Sequence, residues 1–176
     1  MAMNNSYKLE IGLEKLSFDI YAEPPEDPLG EFSDFEMGLR RFFFEYNHVV
    51  VWKIGSEKIQ VFLEPDICLI WDRLPFQIAE LSQGKKIEIT FAESCCITIK
   101  LVPAGNKINC TLIKFGSSYW EKQFECDRAQ VLDALRGFLT EVMQLAVDKG
   151  FITASEKDEF ISPAFASSTD AAVLSK

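Results

Sequence analysis

The chain has 176 residues, of which 48% are hydrophobic and 26% are charged, and its formal net charge is −9. This length and composition are typical of one globular domain with a large hydrophobic core. The negative charge argues against nucleic acid and anionic membrane surfaces as partners, because both are recognised through Lys and Arg side chains.

The residue types that most catalytic and metal sites require are scarce. His48 is the only histidine. The five cysteines show neither a C-x-x-C pair nor another paired spacing: Cys68, Cys95, Cys96, Cys110 and Cys126. Proton-transferring, nucleophilic and zinc sites usually combine several such groups at set spacings. We therefore predict no catalytic, metal-binding or cofactor-binding residue, and we expect a binding protein rather than an enzyme.

The first part of the chain alternates between apolar and polar residues over 7–13, which predicts a strand. The alternation continues over 16–20 with the opposite parity, which predicts either a bulge or a tight hairpin. Residues 22–30 have the sequence AEPPEDPLG and predict a stiff, exposed, acidic loop. Ser33 followed by Glu36 predicts a capped, Phe-rich helix over 34–46.

The remaining elements follow from similar patterns. Residues 48–54 and 59–63 predict a hairpin, and the apolar run 67–71 predicts a buried strand. Asp72 predicts the cap of a short helix over 74–81. Strand patterns separated by turns predict a meander from residue 87 to residue 126. Asp127 predicts the start of a long amphipathic helix that ends at Gly150.

These elements predict a single α+β domain over residues 1–162, with a flexible C-terminal tail over 163–176. We expect one antiparallel meander sheet of about six to eight strands, packed against the long C-terminal helix and the Phe-rich helix. The size, the acidity and the order of elements resemble those of bacterial immunity proteins. That resemblance covers architecture alone and implies a protein that neutralises a toxin by binding it.

The negative charge is concentrated near the N-terminus. Residues 1–36 hold nine acidic and two basic side chains, a net charge of −7, whereas the other 140 residues carry −2. One interpretation is a solvated segment that keeps the protein soluble. The other is a surface that docks a basic partner protein. Its predicted binding residues are Glu23, Glu26, Asp27, Leu29, Glu31, Phe32 and Asp34.

The alternatives belong to other functional classes. A carboxylate-based enzyme or a small-ligand-binding protein would use a pocket between the sheet and the helices. A structural subunit of a larger assembly is a further alternative. Free cysteines and the lack of an apolar signal segment predict a cytoplasmic location. Adjacent residues of a strand point to opposite faces, so Cys95 is expected in the core, and the exposure of Cys96 is left open.

Overall fold

The computed structural model describes residues 6–16, 26–46 and 48–166, with the backbone alone described for residues 42–46. Along this part of the chain the elements are β1 (Leu9–Lys15), α1 (Asp34–Tyr46), β2 (His48–Ile54), β3 (Glu57–Val61), a π-helical turn (Leu63–Ile67), α2 (Cys68–Trp71), α3 (Leu74–Ser82), β4 (Ile87–Phe91), β5 (Ile97–Ala104), β6 (Lys107–Lys114), β7 (Trp120–Asp127), α4 (Arg128–Asp148) and α5 (Ala154–Phe165).

The α+β class is confirmed, but the described strands form two antiparallel sheets. One has the order β1-β2-β3 and the other the order β4-β5-β6-β7. The predicted single meander is not confirmed, because α2 and α3 interrupt the chain between β3 and β4. The sheets meet where the N–H of Tyr7 donates to the carbonyl of Glu125 at 2.8 Å. The predicted hairpin of β2 and β3 and the meander of β4 to β7 both occur.

The prediction of a strand over residues 67–71 is wrong. This segment completes the π-helical turn and forms α2. Ile67 and Trp71 are buried while Leu69 is exposed, which is the four-residue repeat of a helix rather than the two-residue repeat of a strand. The predicted cap at Asp72 is also wrong, because α3 begins after Arg73 without a side-chain cap.

Cys95 and Cys96 lie in the turn before β5 rather than on a strand. Cys96 has φ of 54°, in the left-handed region that few non-glycine residues adopt. Both side chains are half-buried. The strand argument that placed Cys95 in the core does not apply, because the strand geometry begins only at Ile97.

Large rings connect the two sheets to the helices. Trp52 of β2 packs edge-on against Phe91 of β4, with ring centroids 5.5 Å apart. Phe138 of α4 lies 6.4 Å from Trp52 and 5.6 Å from Trp71 of α2. Edge-to-face pairs at these distances add to the stabilisation from burial. The core therefore fixes α2 relative to both sheets and to α4.

The long helix α4 begins and ends as the sequence predicts. Asp127 Oδ1 accepts a hydrogen bond from the N–H of Gln130 at 3.1 Å. At the other end Gly150 has φ of 76°, and the N–H of Phe151 donates to the carbonyl of Ala146 at 2.9 Å. The Phe151 ring then packs against Gly38 of α1, where a Cβ atom would overlap it. This contact sets the distance between α1 and the end of α4.

Helix α5 is capped by Thr153 and continues through Pro163 to Phe165, past the predicted domain boundary at residue 162. Residues 167–176 of the predicted tail lie outside the described residues, as do Phe18 and Ile20 of the predicted bulge or hairpin. No helix in the described part of the chain combines the length and the apolar character needed to cross a lipid bilayer.

Candidate functional site

Most of the predicted acidic segment surrounds the start of α1. Glu26, Glu31 and Asp34 are exposed, and Leu29 is 79% exposed. Glu23 lies outside the described residues. The described segment therefore presents exposed carboxylates and an exposed apolar side chain near the N-terminus of a helix.

Two members of the predicted site make contacts within the chain. The carboxylate of Asp27 accepts hydrogen bonds from the N–H groups of Glu31 at 2.8 Å and Phe32 at 3.0 Å. The Phe32 ring lies beneath the guanidinium of Arg40, whose Cζ is 3.5 Å from the ring centroid. Asp27 therefore shapes the loop, and Phe32 attaches it to α1. Their part in binding stays a prediction.

Beside this segment a cleft of about 280 Å³ opens between α1 and α2. Its lining combines apolar and acidic side chains: Ser33, Phe35, Glu36, Leu39, Cys68, Trp71 and Asp72. None of these lining residues is Lys or Arg, so the charge within the cleft is negative. We call this feature the acidic cleft.

The N-terminus of α1 forms one rim of the acidic cleft. Ser33 and Glu36 make the predicted capping box: the N–H of Ser33 donates to Glu36 Oε2 at 2.8 Å, and the N–H of Glu36 donates to Ser33 Oγ at 3.2 Å. These paired bonds hold the Glu36 carboxylate in place at the end of the helix. Asp72 of the α2–α3 connection lines the same cleft.

Trp71 forms a rigid wall of the acidic cleft. Its indole Nε1–H donates to Met143 Sδ at 3.3 Å. Its ring stacks on Phe160 with centroids 6.3 Å apart and lies 6.4 Å from Phe35. Contacts with α1, α4 and α5 together prevent this ring from rotating. The wall is therefore formed before any ligand arrives, which lowers the entropic cost of binding.

An ion pair lies behind the acidic cleft. Arg40 Nε is 3.0 Å from Glu64 Oε2, and both side chains are largely buried. The two atoms are not aligned for a hydrogen bond, so charge rather than geometry holds them together. Burial raises the pKa of the Glu64 carboxyl above its ordinary value, and the Arg40 guanidinium opposes this rise. Arg40 contacts Glu64 and Phe32 behind the cleft, and its charge also lowers the pKa of the lining thiol Cys68, so it offsets part of the negative potential there.

The thiol that lines the cleft is protonated at neutral pH. Burial raises the pKa of the Cys68 thiol to about 12, so this side chain is not a thiolate at neutral pH. Among the described ranges no group of three or more His, Cys, Asp or Glu side chains is placed to hold a metal ion. His48 lies at the start of β2 opposite Lys15, in a different part of the fold from the cleft residues.

The sequence interpretation did not find the cleft itself. The sequence pattern predicts a strand that ends at Trp71 and a cap at Asp72, so it does not bring these residues beside α1. The run 67–71 is too short for its periodicity to distinguish a helix from a strand. The alternative prediction placed a pocket between sheet and helices, whereas the acidic cleft lies between two helices.

Comparison of the chain with models of known protein families, with curated proteins and with solved structures gives no match.

Proposed function

We propose that the protein is a non-catalytic, cytoplasmic binding domain that docks a basic partner protein. A Lys or Arg side chain of the partner enters the acidic cleft, while the exposed carboxylates of Glu26, Glu31 and Asp34 attract the surrounding basic surface. The observation that carries this proposal is the lining of the cleft, which joins apolar walls to carboxylates without a cation of its own.

The cleft suits a long cationic side chain. Lys and Arg pack their aliphatic stems on apolar surface and keep their charged ends near polar groups. Half-buried Phe35 and Cys68 offer the accessible apolar wall in front of the buried Leu39 and Trp71, and Glu36 and Asp72 offer the carboxylates.

The acidic segment around the cleft supports an electrostatic role. Clustered exposed charge accelerates the approach of an oppositely charged partner and makes the rate of association depend on salt. Leu29 adds an exposed apolar side chain within this charge. Such a residue can anchor a partner once the charges have oriented it.

The test compares two triple variants with the same change in net charge. The first carries Glu26→Lys, Glu31→Lys and Asp72→Lys and alters the proposed surface. The matched control carries Glu125→Lys, Asp133→Lys and Glu159→Lys, three exposed positions on β7, α4 and α5. Asp27 is left unchanged because its carboxylate holds the loop.

Tagged proteins would be used to isolate partners from native lysate over a series of salt concentrations, with mass spectrometry to identify what is retained. The wild type and the control should retain the same basic protein, and added salt should release it. The surface variant should bind the recovered partner at least about ten-fold more weakly, equivalent to about 1.4 kcal/mol. Equal affinity of both variants, or retention of acidic partners only, would overturn the proposal.

A further inference from the structure

The opposite side of α2 carries a second groove, between α2, α3 and the edge strand β4. It has a volume of about 280 Å³. Four lining residues come from α2, α3 and the connection between them, and three come from β4: Leu69, Ile70, Arg73, Gln77, Glu88, Ile89 and Thr90. We call it the edge groove. The acidic cleft uses Cys68, Trp71 and Asp72, so the two features share no lining residue.

One edge of β4 is available for backbone pairing. Within the described residues β4 pairs with β5 alone. The amide of Gln77 donates to the backbone carbonyl of Glu88 at 3.0 Å, so this carbonyl faces the groove and accepts a side-chain N–H. Backbone groups that face one edge recur at every second residue of an antiparallel strand. Thr90 therefore presents its N–H and C=O to the groove beside Glu88.

A large apolar side chain of the groove lining is exposed next to this edge. Leu69 is 70% exposed, and Arg73 follows it four residues later in the same lining. An extended peptide uses such side chains for specificity while its backbone pairs with the strand edge.

The lining of the edge groove holds one cation, Arg73, and one anion, Glu88, whereas the charged residues that line the acidic cleft are all anions. Glu88 is paired with Lys100, with Oε1 and Nζ 3.3 Å apart. Arg73 lines the groove, and Lys85 and Lys86 are exposed on the connection that leads into β4. In a protein of net charge −9 this is a local cationic surface. A bound segment should therefore carry a carboxylate.

We infer that the edge groove binds an extended segment of a partner protein, which adds as a strand to β4 and places an acidic side chain against Arg73. An apolar side chain of that segment contacts Leu69. The N–H of the incoming strand takes the place of the Gln77 amide at the Glu88 carbonyl. This inference does not depend on the proposed function of the acidic cleft.

The probe is an acetylated and amidated hexapeptide, Val-Thr-Glu-Thr-Val-Thr, in which Glu and Val share one face of the strand, compared with the same peptide carrying Lys in place of Glu. Binding would be measured by NMR titration and calorimetry. The Glu peptide should bind at least about five-fold more tightly than the Lys peptide. The chemical-shift changes that it causes in the protein should lie at Arg73, Glu88 and Thr90. Failure to bind at millimolar concentration, or equal binding of both peptides, would overturn the inference.

Two variants separate the charge from the strand edge. Arg73→Glu should weaken the Glu peptide about ten-fold and remove the preference over the Lys peptide, whereas the control Lys15→Glu on β1 should change neither. Thr90→Pro removes an edge N–H and should abolish binding of both peptides, because proline cannot donate to an added strand. Circular dichroism of each variant verifies that it is folded.

A second copy of the chain is the other occupant that this experiment detects. Sedimentation of the wild type without peptide should show a monomer over the concentrations used. A dimer that Thr90→Pro dissociates would overturn the inference, because the edge would then pair with itself. The Asp72→Lys change in the acidic cleft should leave peptide binding intact, so the two proposals can fail separately.

Discussion

The two sides of α2 are built from the same short segment but differ in charge and in exposure. On the side facing α1, Trp71 and Leu39 are buried and the flanking carboxylates are negative. On the side facing β4, Leu69 is exposed and Arg73 is positive. The apolar wall of the acidic cleft therefore belongs to the hydrophobic core, whereas the apolar wall of the edge groove lies on the protein surface.

This difference separates stability from binding. A change to the wall of the acidic cleft alters the core as well as the site, so the free energy of unfolding and the affinity should fall together. A change to the exposed wall of the edge groove removes little buried surface, so affinity should fall without loss of stability. The following substitutions compare one position that supports the core with one that does not.

The largest effect is expected from two leucines on opposite sides of α2. Leu39 is 1% exposed, so Leu39→Ala should lower the free energy of unfolding by about 2–5 kcal/mol. Leu69→Ala should change it by less than about 0.5 kcal/mol, because the side chain is already in water. Urea denaturation followed by circular dichroism measures both. Similar losses at the two positions would contradict the proposed difference between the sides.

The next effect concerns two aspartates that hold backbone turns in the same way. Asp66 is 1% exposed and accepts hydrogen bonds from the N–H groups of Glu93 at 3.2 Å and Ser94 at 2.7 Å. Asp66→Asn should cost about 2–3 kcal/mol, because the amide NH₂ that replaces one buried oxygen faces an N–H group, and neither donor then has an acceptor.

Asp27→Asn is the matched control for that substitution, since Asp27 receives two N–H groups at a partly exposed position. It should cost less than about 1 kcal/mol, because water replaces the lost bond. Hydrogen exchange at the receiving N–H groups should show the same order. If Asp27→Asn were the more damaging change, the acidic loop would contribute more to the free energy of unfolding than the turn between β4 and β5 that Asp66 holds.

Two helical glycines test how tightly α1 is held against the rest of the fold. A Cβ atom at Gly38 would overlap the Phe151 ring, whereas one at Gly137 would meet open space. Gly38→Ala should destabilise the protein by about 1–2 kcal/mol after its gain in helix propensity, and Gly137→Ala should stabilise it by about 0.5–1 kcal/mol. Thermal unfolding measures both. Stabilisation by Gly38→Ala would mean that α1 can move away without cost.

The last effect is a dependence on pH behind the acidic cleft. Burial raises the pKa of Glu64 in the folded protein above its ordinary value of 4.5, and Arg40 limits that rise. Arg40→Met should raise it further and destabilise the folded protein wherever the Glu64 carboxyl is charged, because that charge is then buried without its partner. Protonation removes the uncompensated charge, so the loss should shrink as pH falls through the raised pKa towards 4.5.

Stability curves of Arg40→Met and of Arg40→Met with Glu64→Gln test this dependence. The double variant should lack the pH-dependent part and retain only the loss of packing against Phe32. A loss of equal size at pH 4 and pH 7 in the single variant would contradict the role assigned to the ion pair.

The local elements were predictable where one residue determines the structure. The Ser33 capping box, the Asp127 cap and the Gly150 end of α4 follow from short-range hydrogen bonds and backbone geometry. The segment over 67–71 was not predictable as a helix from its apolar run alone, because periodicity in so short a run does not distinguish a strand from a helix.

The candidate sites depend on long-range packing and were predictable only in part. The charge of the acidic segment is visible in the sequence, but its position beside Asp72 depends on the rings that join α2 to α4 and on the contact of Phe151 with Gly38. The residues that line the edge groove were not predicted, for the same reason. It exists only where α2 and α3 separate the two sheets and leave β4 as an edge.

The most direct test is an NMR titration of the uniformly labelled protein with two peptides, Val-Thr-Arg-Thr-Val-Thr and Val-Thr-Glu-Thr-Val-Thr. The opposite charges of the two sides predict that the Arg peptide shifts Glu36, Asp72 and the indole N–H of Trp71. The Glu peptide should shift Arg73, Glu88 and Thr90 instead. If both peptides perturb the same residues, or if the Arg peptide leaves the acidic cleft unchanged, then charge does not distinguish the two sides of α2.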